Sequence, residues 1–328
     1  HTTGRSAAMF LPGYGNAVVR ALTAAGHDDL LALGEEMDAP TLSPKPMLWV
    51  ADDEVLDHLD AIASGNDVLE PIDTAGALAR CPVLRPERVA AGLADDGASE
   101  IDVGVLHQGY VRRLRRLGGT IETGVRADTV ARARRSGGWR VGAGERSWTA
   151  DLLVNAAGAW ADEVAAMAGV APVGLQPMRR TLFTSPVADG TAPTPLVSDA
   201  AERWYFRVDP GAALISPADE TPSPPCDARP EDVDIALALE AVDSVTTLGL
   251  RSVRSAWAGL RTFAPDRSPV LGPDPDVPGF VWSAGQGGYG IQMAPALART
   301  VASLTLDGTV PADVGLPPDH VTAARFRP

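Results

Sequence analysis

The stretch SAGQGGYGIQMAP, Ser283–Pro295, places Gly285, Gly287 and Gly290 in G-x-G-x-x-G spacing. The apolar run Phe280–Trp282 precedes it, and a helix-like stretch from Ile291 to Leu304 follows. A dinucleotide fingerprint needs a βαβ unit of about 30 residues and an acid roughly 20 residues on, at the end of the second strand. Here the helix runs out into DGTVPADVGLPPDHVTAARFRP, rich in Pro, Asp and Gly, where Asp307 and Asp313 are acids without a strand. Too little chain remains behind the loop to complete a nucleotide domain, so the dinucleotide reading fails.

The physics of the loop outlives that failure. Glycines let backbone N–H groups approach a ligand, and a helix starting at Ile291 would offer a positive dipole end. Such a site suits a partial negative charge that need not be phosphate. The alternative is a tight strand–helix turn without a ligand.

Length and charge narrow the classes. A chain of 328 residues with 45% hydrophobic composition can build two ordinary domains, or one large discontinuous domain, around a real core. A net charge of −14 lacks the phosphate-neutralising footprint of a nucleic-acid binder. No apolar run approaches the ~18–20 residues of a membrane span, and a soluble, acidic protein is expected. Cys81 and Cys226 lie far apart without metal spacing, so no metal site is expected and a reducing cytoplasm is. The first residue is His1, and no secretory leader precedes it, which suggests a fragment, a processed chain or a shortened gene product.

Helices and strands mix along the chain. A helix is expected from Asn16, with Val18, Val19 and Leu22 on one side. Met47–Asp53 reads as a buried strand whose aspartates cap a following helix carrying Val55, Leu56, Leu59 and Ile62. Asp102 opens the clearest helix, with Leu106, Tyr110, Leu114 and Leu117 in step, and Gly118-Gly119 stop it. Arg112, Arg113, Arg115 and Arg116 fall in its last turns as a solvated face that complements the helix dipole. Short strands are expected at Thr120–Thr123 and Trp139–Val141, and Asp151–Trp160 reads as a strand, a small-residue turn and a helix start. Ser185–Arg203 and Asp219–Glu231 look like exposed connections. Between them Trp204–Pro217 reads as a hairpin turning at Asp209-Pro210-Gly211. Ile235, Leu239, Val242 and Val245 mark one more amphipathic helix. The fold class is therefore α/β or α+β.

Five stretches in order, TTGRSAA, DVGVLHQGYVRRLRR, LLVNAAGAWAD, AGLRTFAPDRSPVLGP and AGQGGYGIQ, resemble the FAD-dependent amino-acid oxidoreductases of the D-amino acid oxidase, glycine oxidase and sarcosine oxidase superfamily. The likeness is strongest to the D-arginine dehydrogenase branch and covers nearly the whole chain. It implies a discontinuous Rossmann-like FAD-binding domain lacking its first βαβ unit (1–42, 100–168 and 262–328). A substrate domain with an antiparallel sheet would comprise 43–99 and 169–261. The late glycine loop would then cradle the flavin ring, with Gly287, Gly288, Tyr289, Gly290, Ile291 and Gln292 at the flavin N1–C2=O edge, where negative charge builds up on reduction. Thr2, Thr3, Gly4, Arg5, Ser6, Ala7, Ala8 and Met9 would run along the ribityl chain and ring. Ala127, in a VRADTV strand, would meet the adenine, and Ala156, Ala157 and Gly158 would pack near the adenosine half. The family's own G-x-G-x-x-G unit lies upstream of the position matching His1, and its absence should expose a sheet edge.

The resemblance also implies a substrate, an amino acid or amine. Arg261 matches the arginine whose planar fork holds an α-carboxylate; the competing reading is a structural ion pair. Arg180 matches a second active-site arginine, although Arg179 beside it leaves the register open. Tyr205 matches a tyrosine assisting with the carboxylate, and Tyr14 one on a loop made mobile by Gly13 and Gly15. The carbonyl of Gly288 would receive the amine. No side chain is required as a general base: the neutral amine would lose hydride from Cα to flavin N5, and water would hydrolyse the imino acid to a 2-oxo acid and ammonia. Met47 falls where the branch has a glutamate for a cationic side chain, while Met9 and Leu11 replace a histidine and a threonine. These changes imply apolar D-amino acids rather than D-arginine. A glycine- or sarcosine-type amine oxidase, or a non-catalytic remnant without flavin, are the competing readings. The electron acceptor is left open.

Overall fold

The computed structural model describes residues 2–133 and 137–327. The chain divides into two units, each assembled from three separated segments. The first comprises the segment up to Gly13, Leu42–Ile101 and Met178–Leu260; the second comprises Tyr14–Thr41, Asp102–Pro177 and the chain from Arg261 onward.

The first unit is built on a twisted mixed sheet. Its strands run in the order Ser255–Phe263, Gln176–Pro186, Ala212–Ser216, Tyr205–Asp209, Leu196–Asp199, Met47–Ala51, Ala91–Asp95 and Glu70–Asp73. Leu196–Asp199 runs parallel to Met47–Ala51, whereas the pairings from Gln176–Pro186 through Ala212–Ser216 and Tyr205–Asp209 to Leu196–Asp199, and from Met47–Ala51 through Ala91–Asp95 to Glu70–Asp73, are antiparallel. Alternation along the strands gives the sheet two faces. One carries Leu48, Val50, Phe183, Val197, Phe206, Val208 and Ile215, packed against Ile235, Ala238 and Val242 of the Asp232–Val245 helix. Each large apolar side chain buried there contributes roughly 1.5–3 kcal/mol. The hairpin turns at Pro210-Gly211, where Gly211 has φ 78°, as its sequence predicts. A small sheet, Met9–Phe10, Ser99–Ile101 and Leu42–Pro44, ties the start of the chain to this unit.

In the second unit a three-stranded sheet sets Leu153–Asn155 parallel to Phe280–Ala284, with Val270–Pro273 antiparallel beyond it. Trp139, Phe280 and Trp282 fill the core beneath it. The Ala17–Ala25 helix is capped by Asn16, whose Oδ1 accepts from Val19 N–H at 3.0 Å. Val18, Val19 and Leu22 pack it on the Ala294–Leu306 helix through Met293, Ala296 and Leu297. Asp102 caps the Val103–Arg116 helix at 2.9 Å, and Gly118, φ 83°, ends it. Leu153–Asn155 is the outer strand of its sheet among the described residues, with Val154 52% exposed.

Several expectations are corrected. Leu196–Asp199 is a fully buried strand inside the segment expected to be an exposed connection; four residues of parallel pairing leave no alternation to read. Thr120–Thr123 forms no strand. The aspartates after Met47–Ala51 do not cap the Leu56–Ala63 helix, because Asp52 turns back on Glu54 N–H instead. Two of the four helix arginines are not merely solvated, since Arg113 and Arg116 both pair with Glu36.

Candidate active site

Parallel strands place ligand-binding turns at their carboxyl ends. In the second unit, Leu153–Asn155 and Phe280–Ala284 run parallel with Asn155 beside Trp282, so the turns that follow them emerge at the same end of the sheet. One turn holds Ala156, Ala157 and Gly158; the other holds Gly285 to Gly290. The first is set by Asn155, whose Nδ2 donates to Ala161 O at 2.8 Å and whose Oδ1 accepts from Ala157 N–H at 3.3 Å. Gly158 has φ 58° and open space where a Cβ would stand.

The glycine loop is tighter than its sequence suggests. Gln286–Gly287 pairs with Thr262–Phe263, and Tyr289 N–H closes a turn onto Gln286 O at 3.1 Å. A Cβ on Gly287 would lie 2.3 Å from the Phe263 ring, and one on Gly290 would lie 2.5 Å from Gln286 Oε1. Gly287, with φ 55° and the Phe263 ring against it, is thus required by packing inside the protein, beyond any close approach of a ligand. A Cβ on Gly288 would meet three atoms of the Arg261 guanidinium group at 2.7–2.9 Å. Arg261 therefore lies directly against the backbone of Gly288: the two residues singled out for carboxylate and amine are neighbours. The helix behind the loop begins at Ala294 and not at Ile291, three residues later than expected, because Pro295 suits the first helical turn. No side chain caps it. Gln292 is buried and donates to Thr23 Oγ1 at 2.9 Å, anchoring the turn to the Ala17–Ala25 helix. Ile291 is half-buried in the same turn.

Tyr14 meets Tyr289 edge to face at 5.1 Å between ring centroids, and Tyr289 stands against Phe263 at 6.3 Å. Gly15 has φ 96°, and a Cβ there would strike Val19. Gly13, on the other side of Tyr14, is no free hinge. Its N–H donates to Asp95 Oδ2 at 3.1 Å, and its carbonyl accepts from Asn66 Nδ2 at 2.8 Å. Both partners are buried, and burial pushes the Asp95 carboxyl up. Ala127 lies outside any strand, two residues before Thr129–Arg132; Asp128 N–H, next to it, donates to Gly142 O.

The first unit presents its second sheet face. Ser198 pairs with Tyr205 on one side and with Trp49 on the other, so Tyr205, Trp49 and, two residues along, Met47 share that face. Alternation from Thr184, which opposes Leu214, puts Arg180 there as well. Arg179, on the opposite face, is consumed by Asp219, Glu231 and Asp234. Arg180 is 3% exposed; its Nη2 pairs with Glu220 at 3.2 Å while its Nε has no partner. Tyr205 Oη is likewise buried without a hydrogen-bond partner. Two orphaned polar groups on one buried face are costly unless a ligand answers them. Met47, 3% exposed, has Asp95 as its cross-strand partner.

The start of the chain is pinned to this unit. Thr2–Arg5 forms a short 3-10 turn in which Thr2, Thr3 and Gly4 are exposed. Arg5 Nη1 donates to Ala258 O at 2.9 Å and its Nη2 pairs with Asp227 at 2.7 Å, while Trp257 Nε1 donates to Arg5 O. Ser6 Oγ accepts from Ala8 N–H at 2.9 Å. Ala8 has φ 57°, a strained left-handed value for a residue with a Cβ, and Met9 and Leu11 are buried. Arg207, two residues after Tyr205 on one strand, donates to Ala7 O, a contact the sequence gives no sign of.

Residues 1–304 match the DAO family, described as FAD dependent oxidoreductase. The chain belongs to that family, and FAD is the cofactor the family works with. Among curated proteins it is 31% identical over 291 residues to a D-amino acid dehydrogenase of Cereibacter sphaeroides, covering 82% of this chain and 62% of the relative. It is 32% identical over 176 residues to FAD-dependent oxidoreductase domain-containing protein 1 of Bos taurus, covering 48% of this chain and 36% of the relative. The chain thus spans less than two thirds of the length of these relatives. Among solved structures, L-proline dehydrogenase from P. horikoshii superposes with a TM-score of 0.85 at 19% identity, over 99% of this chain and 87% of that one. Glycine oxidase from Geobacillus kaustophilus gives 0.78 at 19% identity, over 92% and 84%. These likenesses establish the fold.

Within the second unit, the small-residue turn Ala156, Ala157 and Gly158 leaves the open space beyond Gly158 that a bound FAD would need. Within the first, Arg180 Nε and Tyr205 Oη are buried without hydrogen-bond partners. A G-x-G-x-x-G heading a βαβ unit, the pyrophosphate grip, is not in this sequence: beyond the Ala294–Leu306 helix the described residues form only 3-10 turns.

Proposed function

We propose that the protein oxidises the CH–NH2 bond of D-amino acids, with apolar substrates favoured over cationic ones, yielding a 2-oxo acid and ammonia after hydrolysis of the imino acid. FAD, when bound, supplies the acceptor for the hydride leaving Cα. The FAD-binding domain would comprise residues 1–42, 100–168 and 262–328, and the substrate-binding domain 43–99 and 169–261. The observation that carries the reading is the contact between Arg261 and Gly288. A guanidinium fork beside Gly288 would hold a carboxylate close to an amine received by the Gly288 carbonyl, which would fix the direction of the Cα–H bond.

Within this reading Thr2–Met9, Ala127, Ala157, Gly158 and Gly287–Gln292 line FAD, and Arg180 and Tyr205 offer their unanswered donors to the substrate. No proton need be taken by a side chain once the amine is neutral, so rate acceleration rests on orientation and on donors aimed at developing charge.

Substrate preference follows from Met47. A cationic side chain beside it would be desolvated without an ion pair. Its cross-strand neighbour Asp95 does not replace the missing acid, because its two oxygens are held by Gly13 and Gly97 N–H and it is 0% exposed. Free Cys81 and Cys226 support a reducing, cytoplasmic setting. Steady-state rates with D-leucine, D-methionine, D-arginine and glycine test the proposal. D-leucine and D-methionine should lead; preference for D-arginine, or for glycine, would overturn the assignment. Peroxide yield then separates oxidase from dehydrogenase.

A further inference from the structure

Arg207 is a guanidinium buried to 8% exposure on the sheet face it shares with Tyr205, and every nitrogen of its fork is engaged. Nε pairs with Asp209 at 2.8 Å, and Nη2 with Glu100 at 2.6 Å. Nη1 donates to Ala7 O at 3.1 Å and touches Met9 Sδ at 3.5 Å. Lys45 completes the cluster, 2.5 Å from Asp209 and 3.7 Å from Glu100. Two cations and two carboxylates therefore balance, and only one of the cations reaches the segment Ala7–Met9.

That segment needs holding. Ala8 sits in the left-handed region at φ 57°, which a residue with a Cβ adopts only when its surroundings over-determine it. Its N–H is taken by Ser6 Oγ, its carbonyl accepts from Ile101 N–H at 2.7 Å, and Met9 pairs with Glu100 in the small sheet. The remaining carbonyl of the turn, on Ala7, is the one Arg207 holds.

We propose that Arg207 is a positioning residue for the cofactor: by fixing the Ala7 carbonyl it holds the strained Ala7–Met9 turn in the shape that lines the flavin. The inference rests on the reading of Thr2–Met9 as flavin-lining, and it assigns the work to a side chain that need not touch the flavin.

The test compares two charge deletions in the full-length protein. Arg207→Met and Lys45→Met each remove one cation from the same cluster, but only the first removes the bond to Ala7. FAD affinity of the reconstituted protein should fall about tenfold or more in Arg207→Met, the scale expected for losing a charge-assisted hydrogen bond. The vibronic structure of its visible flavin band should change too, while Lys45→Met stays within about twofold of wild type and keeps the wild-type spectrum. Should Arg207→Met fail to fold, Arg207→Lys preserves the charge balance but lacks the planar fork, and should still weaken FAD binding several-fold. Wild-type affinity and spectrum in Arg207→Lys, or equal losses in Arg207→Met and Lys45→Met, would overturn the proposal. A wild-type protein that binds no FAD would overturn the flavin reading itself, and the proposal with it.

Discussion

The role proposed for Arg261 rests on its neighbour. Its guanidinium lies on Gly288, and no side chain can stand at position 288 without moving it. Arg261→Met should therefore lower kcat/KM for a D-amino acid by about 10²–10³, the cost of losing a charge-assisted carboxylate hold, with flavin absorption unchanged. A loss under about threefold would return Arg261 to the role of a structural ion pair. Gly288→Ala should raise KM by displacing the guanidinium, measured in the same assay. Gly287→Ala belongs to a different class: φ 55° and a Cβ 2.3 Å from Phe263 predict a stability loss of about 1–3 kcal/mol in denaturant unfolding, whatever the substrate. At this scale the sequence names residues without their partners. It left the register between Arg179 and Arg180 open; in the structure Arg179 takes three carboxylates, while Arg180 keeps an unanswered Nε. It read Gly13 as freedom, whereas Asp95 and Asn66 grip both of its backbone groups.

At the scale of elements, capping and charge give the sharpest expectations. Asp102→Ala should destabilise the protein by about 1 kcal/mol through loss of the cap on the Val103–Arg116 helix, read as a drop in Tm. The 3-10 turn Ala323–Phe326 is held by Arg325, which pairs with Asp266 at 2.7 Å and donates to the carbonyls of Ser268 and Pro269. Burial alone would push the Asp266 carboxyl up, but Arg325 and the Ser268 N–H outweigh it and hold the carboxyl below its usual range. A depressed folded pKa stabilises the folded state above the unfolded value of about 3.9, and this stabilisation disappears as pH falls through the folded value. The Tm gap between wild type and Asp266→Asn should accordingly be open at neutral pH and close in acid; a gap independent of pH would contradict the pairing. Elements with strong periodicity or caps, such as the helices beginning after Asn16 and Asp102, were legible in the sequence. Leu196–Asp199 was not, because a short strand buried on both faces among Pro, Ala and Ser carries no period. The start of the last helix slipped by three residues because its first turn is set by Pro295, not by the glycines.

For the whole molecule, both units are stitched from distant segments, and the turns after Leu153–Asn155 and Phe280–Ala284 come to one end of a parallel pair. The division differs from the one the resemblance implies in grouping the chain up to Gly13 with Leu42–Ile101 and Met178–Leu260. A charge of −14 predicts no measurable affinity for DNA or RNA at physiological salt, which a filter-binding assay checks. The central claim is that this fold presents a D-amino acid to FAD, and anaerobic titration of the FAD-reconstituted full-length protein tests it most directly. Addition of D-leucine should bleach the visible flavin band completely while L-leucine leaves it intact. A flavin that stays oxidised with every D-amino acid tried, or a protein that takes up no FAD, would contradict the account.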